Sequence, residues 1–215
     1  MRWLGRPRPD DPTVPTLVLL HGYGSSENDM VAVLPAVGLF LAGVTARVLA
    51  IRGPYPATGR RGFAWFPGPL LEQPPLADIA RTGELIARVI RRHATSALLM
   101  GFSQGMAAAI TTMRRHPDLV DALVGLSGYL YDDDHPGDHQ LEMMAASGHG
   151  VPAFVGYDPQ DPRVPGPALR HAVAFLRDHS ALEERTYPGM GHSISMPEIT
   201  DVARFLRHRL DRPAA

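Results

Sequence analysis

The chain has 215 residues, of which 45% are hydrophobic and 20% charged, and its formal net charge is -1 at pH 7. This length and composition exclude a disordered or collagen-like protein, and we expect one domain over residues 1–215. The small net charge argues against a nucleic-acid partner, and the lack of cysteine excludes disulfides, a thiolate nucleophile and cysteine-ligated metals.

Short apolar runs alternate along the chain with longer amphipathic stretches. The runs of strand length are Thr16 to Leu20, Arg47 to Ile51, Ser96 to Met100, Ala122 to Leu126, Pro152 to Gly156 and Glu184 to Tyr187. The stretches of helix length are Asn28 to Leu41, Leu76 to His93, Gln104 to Arg115, Pro167 to His179 and Pro197 to Leu210. This alternation predicts an α/β fold, with a mostly parallel sheet covered by helices on both faces.

The segment Gly101-Phe102-Ser103-Gln104-Gly105 lies between a predicted strand and a predicted helix. It matches G-x-S-x-G in the strand, turn, helix context that presents a nucleophilic serine. Glycines suit both flanks, because side chains would collide where a strand turns abruptly into a helix. The alternative is an ordinary loop serine between glycines, but the context favours Ser103 as a nucleophile.

A serine hydroxyl needs an adjacent base, and the unperturbed pKa of histidine lies closest to neutral pH. Most of the ten histidines lie in polar stretches of predicted helices or at their ends, which is typical of solvated surface groups. His192 instead lies in the glycine-rich loop Gly189-Met190-Gly191-His192-Ser193, after the last predicted strand. That loop can return an imidazole over the sheet, so His192 is the predicted base.

The loop His21-Gly22-Tyr23-Gly24 follows the first predicted strand. We interpret His21 as a structural residue. The predicted oxyanion donors are the backbone amides of Tyr23 and Gln104, one in the loop after an early strand and one directly after the nucleophile.

The acid of the triad has two main candidates. Asp158 and Asp161 share one loop after a predicted strand, and the chain order serine, acid, histidine favours that loop. The acidic run Asp132 to Asp134 is a further candidate, although such a run is more often a solvated loop. Spacing alone does not separate Asp158 from Asp161.

Several segments resemble the phospholipase/carboxylesterase family of α/β-hydrolases, which includes acyl-protein thioesterases and small bacterial carboxylesterases. They are Leu19-Leu20-His21-Gly22-Tyr23-Gly24-Ser25-Ser26, Gly101-Phe102-Ser103-Gln104-Gly105-Met106-Ala107, Leu126-Ser127-Gly128-Tyr129-Leu130 and Gly189-Met190-Gly191-His192. A further segment, Asp161-Pro162-Arg163-Val164-Pro165, is similar to the family's acid loop and selects Asp161. The likeness spans about Leu17 to His192. Many members carry His-Gly where this chain has Val155-Gly156, which bears on the substrate subclass.

The resemblance also implies a substrate pocket. Its candidates are Trp65 and Phe66, in a long loop after a strand, and Met106, at the start of the nucleophile helix. The alternative for the two aromatic rings is that they pin a proline-rich loop to the core. Residues 129 to 150 leave room for little more than a short helix, so we expect no large lid domain.

These features predict a serine hydrolase that cleaves small or short-chain carboxylic esters or thioesters through an acyl-enzyme, with no metal or organic cofactor. The alternatives are a biosynthetic acyltransferase or cyclising enzyme with the same serine, and a non-catalytic ligand-binding protein on this fold. The N-terminus lacks a secretory apolar stretch and no run is long enough to span a membrane, so we expect a cytoplasmic protein without stable membrane insertion. The oligomeric state stays open, a homodimer included.

Overall fold

The computed structural model describes residues 2–4, 14–33, 46–133 and 135–210. The strands in these ranges are β1 (Arg2–Leu4), β2 (Thr16–Leu20), β3 (Arg47–Ile51), β4 (Tyr55–Pro56), β5 (Phe63–Ala64), β6 (Ala97–Phe102), β7 (Val120–Leu126), β8 (Pro152–Tyr157) and β9 (Ala181–Thr186). The helices are α1 (Glu27–Val31), α2 (Leu76–His93), α3 (Gln104–Arg115), α4 (Gly137–Ala146), α5 (Gly166–His179) and α6 (Met196–Leu210), with a short 3-10 turn at Pro117–Leu119.

Seven strands form the main sheet, in the order β1-β3-β2-β6-β7-β8-β9. The six strands from β3 to β9 in this order run parallel to their neighbours, and β1 pairs antiparallel with β3. The remaining strands, β4 and β5, pair with each other as a small antiparallel ribbon. The predicted α/β class and mostly parallel sheet are therefore confirmed.

The sheet separates two apolar cores, because side chains along a strand alternate between its faces. In β2, Val18 and Leu20 belong to a core shared with α2, α3 and α5, whereas Leu17 and Leu19 belong to a core shared with α1 and α6. Every residue of β2 is buried, as expected of a strand covered on both sides.

Four predicted elements match the observed ones at both ends. The bounds of β2, β3, α2 and α3 are those predicted from the sequence. The first predicted helix, Asn28 to Leu41, begins at Glu27 and its described part ends at Val31, and residues 34–41 lie outside the described ranges. The edge strand β9 begins three residues earlier than predicted, and β1 was not predicted at all.

The parallel strands bring four loops to one edge of the sheet. Because β2, β6, β8 and β9 run parallel, the loops that follow them emerge at the same edge. These connections carry the predicted triad and Tyr23, whereas Trp65 and Phe66 follow β5 and Met106 lies in α3. In its described residues, the connection between β7 and β8 contains one ten-residue helix, α4, and no lid domain. No helix in the described ranges is long and apolar enough to cross a membrane.

Candidate active site

The turn between β6 and α3 holds Ser103 in an unusual backbone conformation. Its φ of 54° lies in a region that side chains other than glycine rarely adopt. Such a conformation costs about 1–3 kcal/mol and persists only where the surrounding structure fixes it. Here the Ser103 amide donates to the Leu126 carbonyl at 2.8 Å, which extends the pairing of β6 with β7 beyond the strand end. The hydroxyl is thus carried at the tip of a fixed turn.

Both flanking glycines are needed for close approach. A β-carbon on Gly101 would collide with the Gly105 backbone, and one on Gly105 would collide with the Leu20 carbonyl in the neighbouring strand. The strand, the helix and β2 therefore meet at a distance that only glycine allows, as the sequence pattern predicts.

The imidazole of His192 joins the serine to a carboxylate. Its Nε2 lies 3.1 Å from Ser103 Oγ, and its Nδ1 lies 2.7 Å from Asp161 Oδ2. A carboxylate only accepts hydrogen bonds, so the arrangement fits a neutral ring that donates from Nδ1 and can accept the serine proton at Nε2. The structure brings these three predicted residues together.

The carboxylate of Asp161 is fixed on both oxygens. While Oδ2 faces the imidazole, Oδ1 accepts the backbone amides of Arg163 at 2.7 Å and Val164 at 3.1 Å. Its side chain is only 1% exposed, so water does not compete for these bonds. This group can therefore hold the imidazole in one tautomer and orientation.

The competing carboxylate, Asp158, performs a different task. It accepts the amide of Gln160 at 2.9 Å within its own loop and the amide of Gly191 at 2.7 Å in the histidine loop. These backbone hydrogen bonds, that of Gln160 first, lower the pKa of Asp158. Asp158 therefore ties the acid loop to the loop of His192, and the geometry separates it from Asp161 where spacing could not.

The other acidic run points elsewhere. Asp132 pairs with His171 at 2.8 Å, and Asp133 pairs with Arg115 at 2.5 Å, with its side chain only 8% exposed. The expected solvated loop is therefore wrong for Asp133, because an arginine on α3 holds its carboxylate against the protein. Asp134 lies outside the described residues.

The two predicted oxyanion donors lie beside the serine turn. A β-carbon on Gly22 would lie 3.5 Å from Ser103 Cβ, so the loop that contains Tyr23 passes directly over the serine. The Tyr23 hydroxyl is turned away and donates to the Thr58 carbonyl at 2.9 Å. Gln104 is the first residue of α3, where amides have no partner within the helix and the helix dipole favours negative charge.

His21 is a buried structural residue, as interpreted from the sequence. Its Nδ1 lies 2.8 Å from the Gly22 carbonyl and therefore donates to it, while Nε2 accepts the Gly53 amide at 2.9 Å. Burial lowers the pKa of His21, which keeps the ring neutral. Because both nitrogens have hydrogen-bond partners within the protein, neither is free to exchange a proton with a substrate.

A cavity of about 430 Å³ opens beside the serine. Its lining residues come from the four loops, from α1 and the residues after it, and from the segment between β3 and α2: Gly22, Tyr23, Ser25, Asp29, Met30, Val33, Arg60, Leu70, Phe102, Ser103, Arg163, His192 and Ile194. Sequence reasoning missed the apolar members of this group, because all except Phe102 lie outside the motifs and they meet only when the loops are folded.

The predicted pocket residues do not line this cavity. Trp65, Phe66 and Met106 are at most 1% exposed and belong to the core between the sheet and its helices. The Trp65 amide donates to Gln104 Oε1 at 2.8 Å, and its indole donates to the His21 carbonyl at 2.8 Å. These contacts match the alternative interpretation, in which the aromatic side chains pin a loop to the core.

Comparison with known sequences identifies proteins related to this chain. A sequence model of the phospholipase/carboxylesterase family matches residues 7–210. Acyl-protein thioesterase 1 of Kluyveromyces lactis is 30% identical over 119 residues, which cover 53% of this chain and 50% of that protein. Acyl-protein thioesterase 1 of Saccharomyces cerevisiae is 29% identical over 116 residues, 53% of this chain and 49% of the relative. The matched stretch thus spans about half the length of these curated relatives.

Solved structures share the architecture over nearly the whole chain. Acyl-protein thioesterase 2 of Zea mays superposes with a TM-score of 0.73 at 18% identity and covers 97% of this chain and 98% of that chain. A carboxylesterase of Mesorhizobium loti gives a TM-score of 0.70 at 23% identity over 89% of this chain and 88% of its own. At these identities the similarity demonstrates a common fold.

Proposed function

Because the chain belongs to the phospholipase/carboxylesterase family, we propose that it is a serine hydrolase of small or short-chain carboxylic esters or thioesters. The hydrogen bonds of His192 to both Ser103 and Asp161 carry this proposal. They form a nucleophile, base and orienting acid in the geometry that acyl transfer requires.

In the acylation step, His192 Nε2 accepts the Ser103 proton while Oγ attacks the substrate carbonyl. The imidazolium that forms is stabilised by the Asp161 carboxylate on its other nitrogen. The tetrahedral oxyanion is bound by the amides of Tyr23 and Gln104. Each preorganised donor of this kind contributes about 3–4 kcal/mol to transition-state stabilisation. His192 then returns the proton to the leaving alcohol or thiol.

In the deacylation step, water takes the place of the leaving group. His192 accepts a proton from this water as it attacks the acyl-serine carbonyl, and Ser103 recovers its proton when the ester bond breaks. The same two amides bind the second oxyanion. The chain's own residues thus provide all the proton transfers in both steps.

Two observations support small substrates and the inclusion of thioesters. The cavity of about 430 Å³ suits a small or short acyl or alcohol group, and no lid domain covers it in the described residues. The yeast relatives are named acyl-protein thioesterases, which favours testing thioesters beside oxygen esters.

The decisive experiment removes the hydroxyl. Ser103→Ala should abolish labelling by a fluorophosphonate probe and lower turnover of p-nitrophenyl butyrate and butyryl-CoA by several orders of magnitude. The matched control is Ser147→Ala, which removes an exposed serine hydroxyl at the end of α4. Circular dichroism of both variants checks that the fold is retained.

The results separate the competing functions. Labelling and turnover that survive in folded Ser103→Ala would refute the serine mechanism, and a folded wild-type chain that binds esters without turnover would indicate a binding protein. An acyltransferase would form more transfer product than acid when an alcohol or amine acceptor is added to the assay.

A further inference from the structure

The cavity beside Ser103 has an amphiphilic lining. Its apolar side chains are Met30, Val33, Leu70, Phe102 and Ile194. Its charged side chains, apart from the titratable His192, are Arg60, Arg163 and Asp29. The apolar side chains would stabilise an alkyl group of a ligand, whereas the two guanidinium groups would bind an anionic group.

The two arginines have no protein partner in the part of the chain that the structure describes. Neither guanidinium takes part in a hydrogen bond or an ion pair there, and both side chains are exposed. Other arginines of the molecule pair with carboxylates, among them Arg52 with Glu27, Arg114 with Asp138 and Arg177 with Glu184. The cavity therefore presents two cations whose hydrogen-bonding capacity is left to solvent or a ligand.

The carboxylate that lines the cavity is already committed. Asp29 accepts the Ser25 hydroxyl at 2.7 Å, the Ser26 amide at 2.9 Å and the Ser26 hydroxyl at 3.1 Å. These bonds, that of Ser25 first, lower the pKa of Asp29, so its charge stabilises the start of α1. The lining therefore carries two cations without a protein partner in the described residues and one carboxylate that already accepts three hydrogen bonds.

Local structure holds both arginines beside the reacting centre. The stem of Arg60 packs on the loop that contains Tyr23, since a β-carbon on Gly24 would lie 3.1 Å from Arg60 Cδ. The amide of Arg163 donates to Asp161 Oδ1 at 2.7 Å, which fixes the base of that side chain in the acid loop. Arg60 thus packs against the loop of a proposed oxyanion donor from the turn between β4 and β5, and Arg163 extends from the loop of the proposed orienting acid.

We infer that Arg60 and Arg163 select ester substrates that carry an anionic group, either a carboxylate or a phosphate. In such a substrate a short apolar chain separates the anionic group from the scissile carbonyl. A guanidinium binds either anion through two parallel hydrogen bonds, a geometry that an uncharged ester cannot satisfy. This inference rests on the proposed hydrolase function and narrows its substrate class.

The test compares matched pairs of esters. For a carboxylate, the pair is mono-p-nitrophenyl glutarate and p-nitrophenyl pentanoate, which have acyl chains of equal length. For a phosphate, the pair is the butyryl ester of glycerol 3-phosphate and that of glycerol. The measured quantity is the kcat/KM of the anionic ester divided by that of its neutral partner. The rate with Ser103→Ala is subtracted first, because the carboxylate of an anionic ester can hydrolyse its own ester bond without the enzyme.

We expect this ratio to fall about tenfold or more in the double variant Arg60→Gln, Arg163→Gln for at least one of the two pairs. The pair that responds identifies the anion. The control Arg88→Gln removes an exposed arginine of α2 that does not line the cavity, and it should leave both ratios unchanged.

Two negative results have different meanings. If wild type and the double variant give the same ratios for both pairs, the arginines do not select anions and the inference is overturned. If wild type hydrolyses none of the four esters above the Ser103→Ala rate, the hydrolase function itself is what fails.

Discussion

A buried carboxylate behind the histidine loop should make the stability of this protein depend on pH. Glu198 lies in the first turn of α6 and is 0% exposed. Its Oε2 accepts the Ser195 amide at 3.4 Å, and its Oε1 has no hydrogen-bond partner among the described residues. Burial raises the pKa of Glu198 from 4.5 to about 7, because the single hydrogen bond from Ser195 only partly offsets the lost hydration of the charged form.

The magnitude follows from linkage between protonation and folding. One pKa unit corresponds to about 1.4 kcal/mol, so a change from 4.5 to about 7 is worth about 3 kcal/mol. Between these two pKa values the folded chain holds a proton that the unfolded chain releases. The stabilising contribution is therefore fully present below pH 4.5 and is lost as the pH rises through about 7.

The test is Glu198→Gln, which removes the ionisation and keeps a side chain that the first turn of a capped helix accepts. Urea unfolding of wild type and variant at pH 5, 6, 7 and 8 gives the difference in unfolding free energy at each pH. We expect the variant to gain about 2–3 kcal/mol relative to wild type between pH 5 and pH 8. Burying the glutamine amide can change the unfolding free energy by a constant amount at every pH. Such a constant does not affect how the difference between variant and wild type varies with pH.

The matched control is Glu72→Gln, which makes the same chemical change at an exposed glutamate and is measured at the same four pH values. A flat difference for Glu198→Gln would refute the reasoning, because it would mean that the buried carboxylate titrates at its ordinary pKa.

Two further predictions concern the geometry of the site. Asp161→Asn should lower kcat for p-nitrophenyl butyrate by about 10⁴-fold through loss of the useful tautomer. Asp158→Asn, which weakens the hydrogen bonds from the Gln160 and Gly191 amides but leaves Asp161 in place, should lower it by about 10²-fold. Equal losses would contradict the separate roles. Gly105→Ala should reduce the unfolding free energy by about 1–3 kcal/mol in urea, because its new methyl group collides with the Leu20 carbonyl, and an unchanged midpoint would show that the elements can separate.

The sequence predicts strands well where burial makes the pattern continuous. β2 and β3 are apolar nearly throughout, so their bounds follow from composition. At the sheet edge, β9 reads ALEERT and exposes much of its surface, and the start of such a strand leaves a weaker signal. β1 has three residues and is held by pairing with β3, a long-range contact that no local pattern reveals.

The residues of the proposed triad left a clearer signal in the sequence than the cavity lining did, for a physical reason. The turn at Ser103 requires glycines at fixed neighbouring positions, and such local requirements leave a motif in the sequence. The choice between Asp158 and Asp161 depends on which carboxylate faces an imidazole 31 residues away, so spacing left it open. The apolar cavity residues, such as Met30 and Ile194, meet only in three dimensions.

Trp65, a predicted pocket residue, instead links the two segments that carry the proposed oxyanion donors. Trp65 donates through its indole to the His21 carbonyl and through its amide to Gln104 Oε1, while its carbonyl accepts the Thr82 hydroxyl at 2.5 Å. His21 begins the loop of one proposed oxyanion donor, Tyr23, and Gln104 is itself the other proposed donor. This buried residue, which does not line the cavity, thus ties the Tyr23 loop to the start of α3. Since both proposed amides would have to point at one oxygen atom, we expect this core residue to support the proposed reaction through geometry alone.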